Sequence, residues 1–434
     1  MASPYSKLEQ SAGGVRCVAV SDVGMRRASN QDSLAVALAD SSERWQSHGH
    51  LLIVADGMGA HAAGELASKI ATDTIPHSYH KQPTDSPSEA IMAAVRAAND
   101  AIYTKGQDTV DLQGMGTTCS SLVLLPFGAI AAHVGDSRVY RLRCEQFEQL
   151  TFDHSLVWEM AAAGHATEDE VPAYVPKNVI TRSLGPHATV AVDIEGPFPI
   201  ESGDRFLLCS DGLTGPLKAE LIGMVVAALP LADVAQTLVD LANLLGGPDN
   251  ITVVVVEVVD TQQLGRAELS EAAASSADVQ AGRRAAGGQG PGSSDGGRQG
   301  ESSLNSWSLK SWWKGLLGIM GLGRLGRRSY STASQQEIGL HGKAPYRRYQ
   351  CQASASSIEK LSDIVRQLED LETQRDWKFD WSEIRHDRHQ AHEAIAKADY
   401  ALAVVSYCSA VRRLMQSLRE LPPDGPSDSA LDLG

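Results

Sequence analysis

The sequence predicts an α+β domain built on mainly antiparallel sheet, followed by a flexible linker and a small α-helical region. Three observations carry this. Between residues 117 and 149 the runs "TTCSSLVLL", "AIAAHVGD", "RVYRLRC" and "QFEQL" follow one another across gaps of a few residues. That is hairpin or meander spacing, too short for the crossovers that parallel strands need. Strand-like and helix-like runs also come in clusters, the pattern of a layered α+β domain. The composition, 43% hydrophobic and 21% charged over 434 residues, is that of a globular chain long enough for two or three domains.

Taken in order, "RCVAVSDVG", "DSLAVALA" and "LLIVADG" read as strands from their β-branched, apolar character. "HAAGELASKIATDTI" and "PSEAIMAAVRAANDAIYTKG" have the period of amphipathic helices. After the strand cluster, "DRFLLCSDGL" is a strand ending in an acid, "LADVAQTLVDLANLLG" a helix and "NITVVVVEVV" a closing strand. The domain is bounded at 15–260. Residues 261–303 are Gly, Ser, Ala and Gln with almost nothing to bury, a linker composition. Residues 354–421 contain two helical stretches, with apolar Ile358, Leu361, Val365 and Leu368 in the first and Ile395, Ala398, Leu402, Val405, Leu414 and Leu418 in the second.

The formal charge of −15 argues against nucleic-acid binding, yet it is unevenly spread. Residues 1–260 carry 16 basic and 32 acidic groups, whereas 304–350 carry 8 basic and 1 acidic. The six cysteines form no CxxC pair and sit mostly in apolar runs, as reduced core residues of a cytoplasmic protein would. The start, "MASPYSKLEQSAGG", has no apolar stretch of the kind a secretory signal needs.

Five acids recur in one context: Asp32 in "ASNQDS", Asp56 in "VADGMG", Asp136 in "HVGDSR", Asp211 in "LCSDGL" and Asp249 in "GPDNIT". Each sits at a strand edge beside Gly, Ser or Asn. Any one of them reads as a turn residue. Five in one domain would bring mutually repelling carboxylates to strand ends, where a multivalent cation can hold them. Oxygen donors without a His or Cys cluster suit Mg2+ or Mn2+ better than zinc or copper. Two such ions could activate water and clamp a phosphoryl group. Glycines at 57 and 59 remove Cβ atoms beside Asp56, so a ligand could approach the backbone there.

The segments "SDVGMRRASNQDS", "VADGMGAHAAGELAS", "GMGTTCSSLVL", "HVGDSRVYRL", "LTFDHSLV", "NVITRSLG", "LLCSDGLTG" and "PDNITVVVVEV", in this order over about residues 15–258, resemble the bacterial branch of the metal-dependent, type 2C (PPM) protein Ser/Thr phosphatases. The resemblance implies a four-layer α-β-β-α sandwich with two antiparallel sheets. It implies hydrolysis of phosphoserine and phosphothreonine on proteins by hydroxide activated at two Mn2+ or Mg2+ ions, with a third ion in bacterial members. Asp56 resembles the carboxylate that bridges both ions and Gly57 the residue that offers a carbonyl. Asp211 and Asp249 resemble the remaining direct ligands, Asp32 the acid that holds metal-bound water, and Asp136, with Asp211, the additional site. Arg27 resembles the arginine that grips substrate phosphate; Arg26 is the rival on spacing. Phosphoproteins, and a Ser/Thr kinase acting on the same substrates, are the implied partners.

Departures from the family pattern matter too. Met58 stands where animal members carry a histidine thought to act as general acid, so that role is vacant or falls to His61, whose other reading is packing or capping. Ala60 replaces a common glycine, and Gln31 a common carboxylate. His154, Asp153 and His133 read as structural. Residues 157–178 match the position of the family's flap over the active site. Two other functions remain beside protein dephosphorylation: a catalytically dead scaffold, which would be expected to lose acidic ligands that this chain keeps, and a hydrolase of small phosphoesters.

Within the helical region, "ADYALAVVSYCSAVRRLM" resembles one helix of a tetratricopeptide-type pair, and a plain helical hairpin is the alternative. Either way an interaction with a protein partner is expected. Residues 304–328 interleave Trp307, Trp312 and Trp313 with Lys310, Lys314, Arg324, Arg327 and Arg328. Only nine uncharged residues separate Lys314 from Arg324, short of the ~20 that a spanning helix needs. A peripheral helix on the inner membrane surface, packing in cis and a tether are the three readings.

Overall fold

The computed structural model describes residues 5–12, 14–59, 62–82, 86–163, 179–260, 344–374 and 380–420. His61, the linker 261–303, the cationic segment 304–328 and most of the 157–178 stretch lie outside the described residues.

The chain opens with strands β1 (Tyr5–Ala12) and β2 (Val15–Asp22), then β3 (Ser33–Ala37), α1 (Ser42–Ser47), β4 (His50–Ala55) and the short β5 (Gly57–Met58). Helices α2 (Ala63–Tyr79) and α3 (Pro87–Gly106) follow. Next come β6 (Gly116–Thr117), β7 (Cys119–Leu125), β8 (Gly128–Val134), β9 (Arg138–Arg143) and β10 (Gln146–Gln149). Helix α4 (Leu156–Ala162), β11 (Asp193–Phe198), β12 (Arg205–Cys209), α5 (Asp211–Thr214), α6 (Ala219–Ala228), α7 (Leu231–Leu244) and β13 (Ile251–Val258) complete the first part. One sheet runs β1-β2-β13-β12-β9-β10-β14 and a second β11-β8-β7-β4-β3, with antiparallel pairing throughout. The final strand of the first sheet, β14, is Arg347–Gln350.

Period-two alternation decides how these sheets stack. Leu52 and Val54 of β4, Leu122 and Leu124 of β7, Phe206 and Leu208 of β12, and Val254 and Val256 of β13 meet in one cluster between the sheets. Their neighbours Leu51, Ile53, Val123 and Leu125 point the other way, against Ala67, Ala71 and Ile75 of α2 and Ile91, Val95 and Ile102 of α3. On the far side Leu207, Cys209, Val253 and Val255 meet α6 and α7. The result is the four-layer α-β-β-α sandwich expected from the resemblance.

Strand β1 and helix α6 are among the elements that escape sequence pattern reading. Strand β1 is mostly polar, and its Leu8 packs against the cluster between the sheets, as suits an edge strand. Helix α6, "AELIGMVVAA", buries Leu221 through Val226 without a polar stripe, because it is covered from two sides.

The second cover is C-terminal. Strand β14 pairs with β10, placing Tyr349 opposite Phe147. Helices α8 (Ala355–Gln374), α9 (Ser382–Ala396) and α10 (Tyr400–Arg419) follow, where the pattern suggested two helical stretches. The break comes at Ala398, held at φ 57, and Asp399 then caps α10 by accepting from the Leu402 amide at 3.1 Å. Ile358, Leu361, Trp381, Ile384, Tyr407, Val411 and Leu414 share one buried cluster with Val225 of α6, Leu229 just after it, and Val234 and Leu238 of α7. Ion pairs Arg412–Asp233 and Arg419–Asp240 tie α10 to α7. A Cβ on Gly223 would fall 2.2 Å from Cys351 Sγ, so α6 accepts only glycine where the chain leaves β14.

Candidate active site

Strand β4 delivers Asp56 to one end of the sandwich. The Asp56 amide donates to Thr118 Oγ1 at 2.9 Å, and its carbonyl accepts from the Thr118 amide at 2.8 Å and Thr117 Oγ1 at 2.9 Å. The residue after it, Gly57, has no room for a side chain: a Cβ there would lie 2.2 Å from the Gly64 carbonyl oxygen and 2.5 Å from that of Gln31. The bare backbone therefore serves the close approach of the first turn of α2. This corrects the expectation that the missing Cβ of Gly57 leaves space for a ligand.

Asp211 opens α5 directly after β12, and Asp249 precedes β13 by one residue beyond Asn250. Adjacent pairing of β12 and β13 brings these two ends together. Asp32 is buried, accepts from Ser210 Oγ at 2.7 Å, and its amide donates to Asn30 Oδ1 at 3.1 Å. Asp136 follows β8 in the second sheet. Burial first, and then the charges of Asp32, Asp211 and Asp136, raise the Asp56 pKa. The sheet ends thus bring Asp32, Asp56, Asp136, Asp211 and Asp249 into one electrostatic neighbourhood.

Burial sets the acidities. It is the first cause holding Asp56 well above the ordinary carboxylate value, with the neighbouring carboxylates adding to it. Burial and the charges of Asp211 and Asp249 push Asp32 up to about 7 against its hydrogen bonds to Ser210 and Thr252. Asp136 rises to about 8 from burial and the charges of Asp211 and Asp153, and Asp211 rises from burial and the charge of Asp249. Oxygens Asp32 Oδ1, Asp136 Oδ1 and Asp211 Oδ1 are buried without a hydrogen-bond partner. Among the described residues no three His, Cys, Asp or Glu side chains already stand as a metal-ligand set. Asp249 is drawn to Arg27, whose Nη2 lies 2.7 Å from Asp249 Oδ2, and Ser210 engages one oxygen of Asp32. Hard oxygens, orphaned and held close despite repulsion, nevertheless fit divalent cations.

Sequence reasoning missed the residues that hold this arrangement. Asn250 is the main one. Its Nδ2 donates to the carbonyls of Val23 at 2.8 Å and Ser29 at 3.0 Å, and its Oδ1 accepts from the Gln31 amide at 2.8 Å. One side chain thus fastens the loop bearing Arg27 and Asp32 to the strand bearing Asp249; the only local signal is a polar residue opening an apolar strand. His154, read as structural, accepts from the Gly135 amide at 2.9 Å through Nδ1 and donates from Nε2 to Asp193 Oδ2 at 2.9 Å. It fixes the backbone just before Asp136. His133 stacks on it with ring centroids 4.9 Å apart, and burial takes its pKa down to about 3, so it is a neutral core residue. Arg138 binds Asp153 at 2.7 Å and lies over the Trp158 ring at 5.6 Å, while Arg347 of β14 lies over the same ring at 4.0 Å.

A family model described as protein phosphatase 2C matches residues 25–246. The chain belongs to the protein phosphatase 2C family. It is 39% identical over 243 residues to the protein phosphatase PhpP of Streptococcus pneumoniae, a match that covers 55% of this chain and 96% of the relative. It is 36% identical over 249 residues to the serine/threonine protein phosphatase PstP of Mycobacterium tuberculosis, covering 57% of this chain and 45% of that one. Among solved structures, the M. tuberculosis phosphatase PstP/Ppp matches with a TM-score of 0.51 at 36% identity, over 57% of this chain and 99% of that chain. The S. agalactiae serine/threonine phosphatase matches with a TM-score of 0.52 at 36% identity, over 56% and 99%. The phosphatase 2C match ends before β13 and before β14 to α10, so the C-terminal cover lies outside it.

Proposed function

We propose that this chain is a metal-dependent protein serine/threonine phosphatase. The observation that carries the reading is the group of buried, mutually repelling Asp32, Asp56, Asp136 and Asp211 at the sheet ends, three of them with an orphaned oxygen, in a chain of the phosphatase 2C family. Asp56, Asp211, Asp249 and the Gly57 carbonyl would hold two Mn2+ or Mg2+ ions, with Asp32 acting through water and Asp136 serving a third. Bound ions supply Lewis acidity that activates water and offsets phosphoryl charge. The chain's own residues do the rest. Thr117 and Thr118 fix the backbone of Asp56, Ser210 and Asn30 orient Asp32, and Asn250 aligns the loop that carries Arg27. Arg27, with its planar fork, would take two phosphate oxygens and trade its bond to Asp249 for them. His61, which lies outside the described residues, remains the candidate from the sequence for protonating the leaving group.

Turnover of p-nitrophenyl phosphate and of a phosphothreonine peptide, with and without Mn2+, tests this. Metal-dependent hydrolysis of the peptide is expected. Turnover that survives thorough chelation overturns the metal reading, and rates higher on small metabolites than on the peptide overturn the protein-substrate reading.

Among the described residues no helix is long and apolar enough to cross a membrane. For residues 304–328 the interleaved tryptophans and cations support peripheral contact with an anionic lipid surface. Sedimentation with anionic liposomes, comparing the full chain with one lacking 304–328, tests it: equal sedimentation at low salt removes the proposal. The proposed organisation is a 15–260 phosphatase domain, a 261–303 linker, the 304–328 cationic segment and a 354–421 helical region, with a kinase acting on shared substrates as the expected functional partner.

A further inference from the structure

Residues 344–347 lie outside the phosphatase 2C match of residues 25–246, yet they bridge the two sheets of the sandwich. The Tyr346 amide donates to the Gln149 carbonyl of β10, in the first sheet, at 2.9 Å. The Ala344 amide donates to Glu195 Oε2 at 3.2 Å and the Tyr346 hydroxyl to Glu195 Oε1, both on β11 at the edge of the second sheet. Glu195 is buried, and a buried carboxylate depends on such donors.

The same segment closes over a group of rings. Tyr346 stands edge-on to Phe152, 5.4 Å between centroids at 63°, and Phe152 meets Trp158 at 5.4 Å and 86° and the His154 ring at 6.2 Å. Arg347 lies 4.0 Å over the buried Trp158 ring, within reach of a cation–π contact.

Both sets of contacts lead to the turn at residues 135–138. Two residues before Glu195 on β11, Asp193 accepts from His154 Nε2 at 2.9 Å. His154 then holds Gly135 twice, accepting its amide on Nδ1 at 2.9 Å and donating its own amide to the Gly135 carbonyl at 2.7 Å. On the other route Trp158 faces Arg138 at 5.6 Å, and Arg138 is held by Asp153 at 2.7 Å. Asp136 sits between these two anchors, with Oδ1 buried and without a hydrogen-bond partner. Docking of β14 alone would need only its ladder to β10. The next residue, Arg348, does stay within that ladder, pairing with Glu148 at 3.0 Å. Tyr346 and Arg347 reach past the strand they lie on.

We propose that Tyr346 and Arg347 are positioning residues for Asp136, bracing the turn that carries it so that it can hold a divalent cation. The inference rests on the reading of Asp136 as the acid of an additional metal site.

The test titrates the full chain with Mn2+ and follows the free ion by electron paramagnetic resonance, so that binding is read without turnover. Asp136→Asn should remove one bound ion. Tyr346→Phe/Arg347→Ala should weaken that same ion by about tenfold, the low end of what loss of supporting partners costs a metal site, and leave the others unchanged. Added to Asp136→Asn, the pair should have no further effect, whereas general damage to the fold would weaken the remaining ions as well. Arg347→Lys, which keeps a cation over the ring, should recover most of the affinity, and Arg348→Ala should bind like the wild type. If Asp136→Asn leaves every ion in place, the additional site fails and this inference with it. If Asp136→Asn removes an ion that the Tyr346→Phe/Arg347→Ala variant still binds like the wild type, the bracing role alone is overturned. An equal loss in Arg348→Ala overturns it too, by assigning the effect to the docking of β14.

Discussion

Arg27 Nη2 lies 2.7 Å from Asp249 Oδ2, so the residue matched to phosphate binding is joined to one matched to metal binding. In the proposed site the arginine would compete with a cation for that carboxylate. Arg27→Ala should raise KM for a phosphothreonine peptide about tenfold, the worth of roughly one charge-assisted contact. It should also lower the Mn2+ concentration needed for half-maximal activity, because Asp249 is released. Arg26→Ala should do neither. If Arg26→Ala gives the larger KM effect, the two roles are exchanged.

Asp211→Asn keeps size and removes a charge that burial already penalises. Turnover at saturating Mn2+ should fall by more than about 100-fold, beyond the loss typical of residues that only orient a ligand. A raised folded pKa means that the ionised acid opposes folding at neutral pH, so the variant in EDTA should unfold at the same temperature as the wild type or higher. Near-normal turnover would remove Asp211 from the metal site.

Asp193 supports the site at one remove, through His154 and the Gly135 amide. Burial alone would raise its pKa, but His154 and Arg182 outweigh it and take it down to about 2 from an ordinary 3.8. Between those values the unfolded chain binds more protons, so the stability contributed is present above about 4 and lost as pH falls toward 2. Asp193→Asn should therefore cost on the order of 1 kcal/mol at pH 7, after allowance for its partial exposure. The gap from wild type should close near pH 2. Thermal unfolding at a series of pH values measures it, and a gap independent of pH rejects the ion-pair account.

Leu414 of α10 is fully buried among residues of both the sandwich and the C-terminal helices. Leu414→Ala should cost about 2–5 kcal/mol, as cavity-forming substitutions do. Because the cluster is shared, activity and helical signal should be lost in one transition on heating. Melting of the helices at a lower temperature with activity retained would show that the two parts are separable. Deleting 344–434 should expose Val225, Val234 and Leu238 and yield aggregating protein.

What the sequence by itself determined was local. Short continuous apolar runs in "LLIVADG" and "NITVVVVEVV" marked strands, and Asp56, Asp211 and Asp249 announced themselves by standing at strand ends beside Gly, Ser or Asn. Periodicity is a property of neighbouring residues, so it survives without the fold. Tertiary structure decided what depends on distant segments. Gly57 is glycine because Gly64 and Gln31 crowd it, Asn250 matters because Val23, Ser29 and Gln31 come to it, and α6 is apolar all round because α10 lies over it. The break at Ala398 belongs to the same class: a left-handed alanine carries no sequence signature of its own, and the contacts of α9 and α10 hold it there. Close approach between residues hundreds of positions apart leaves no local pattern, and that is where the site gets its geometry.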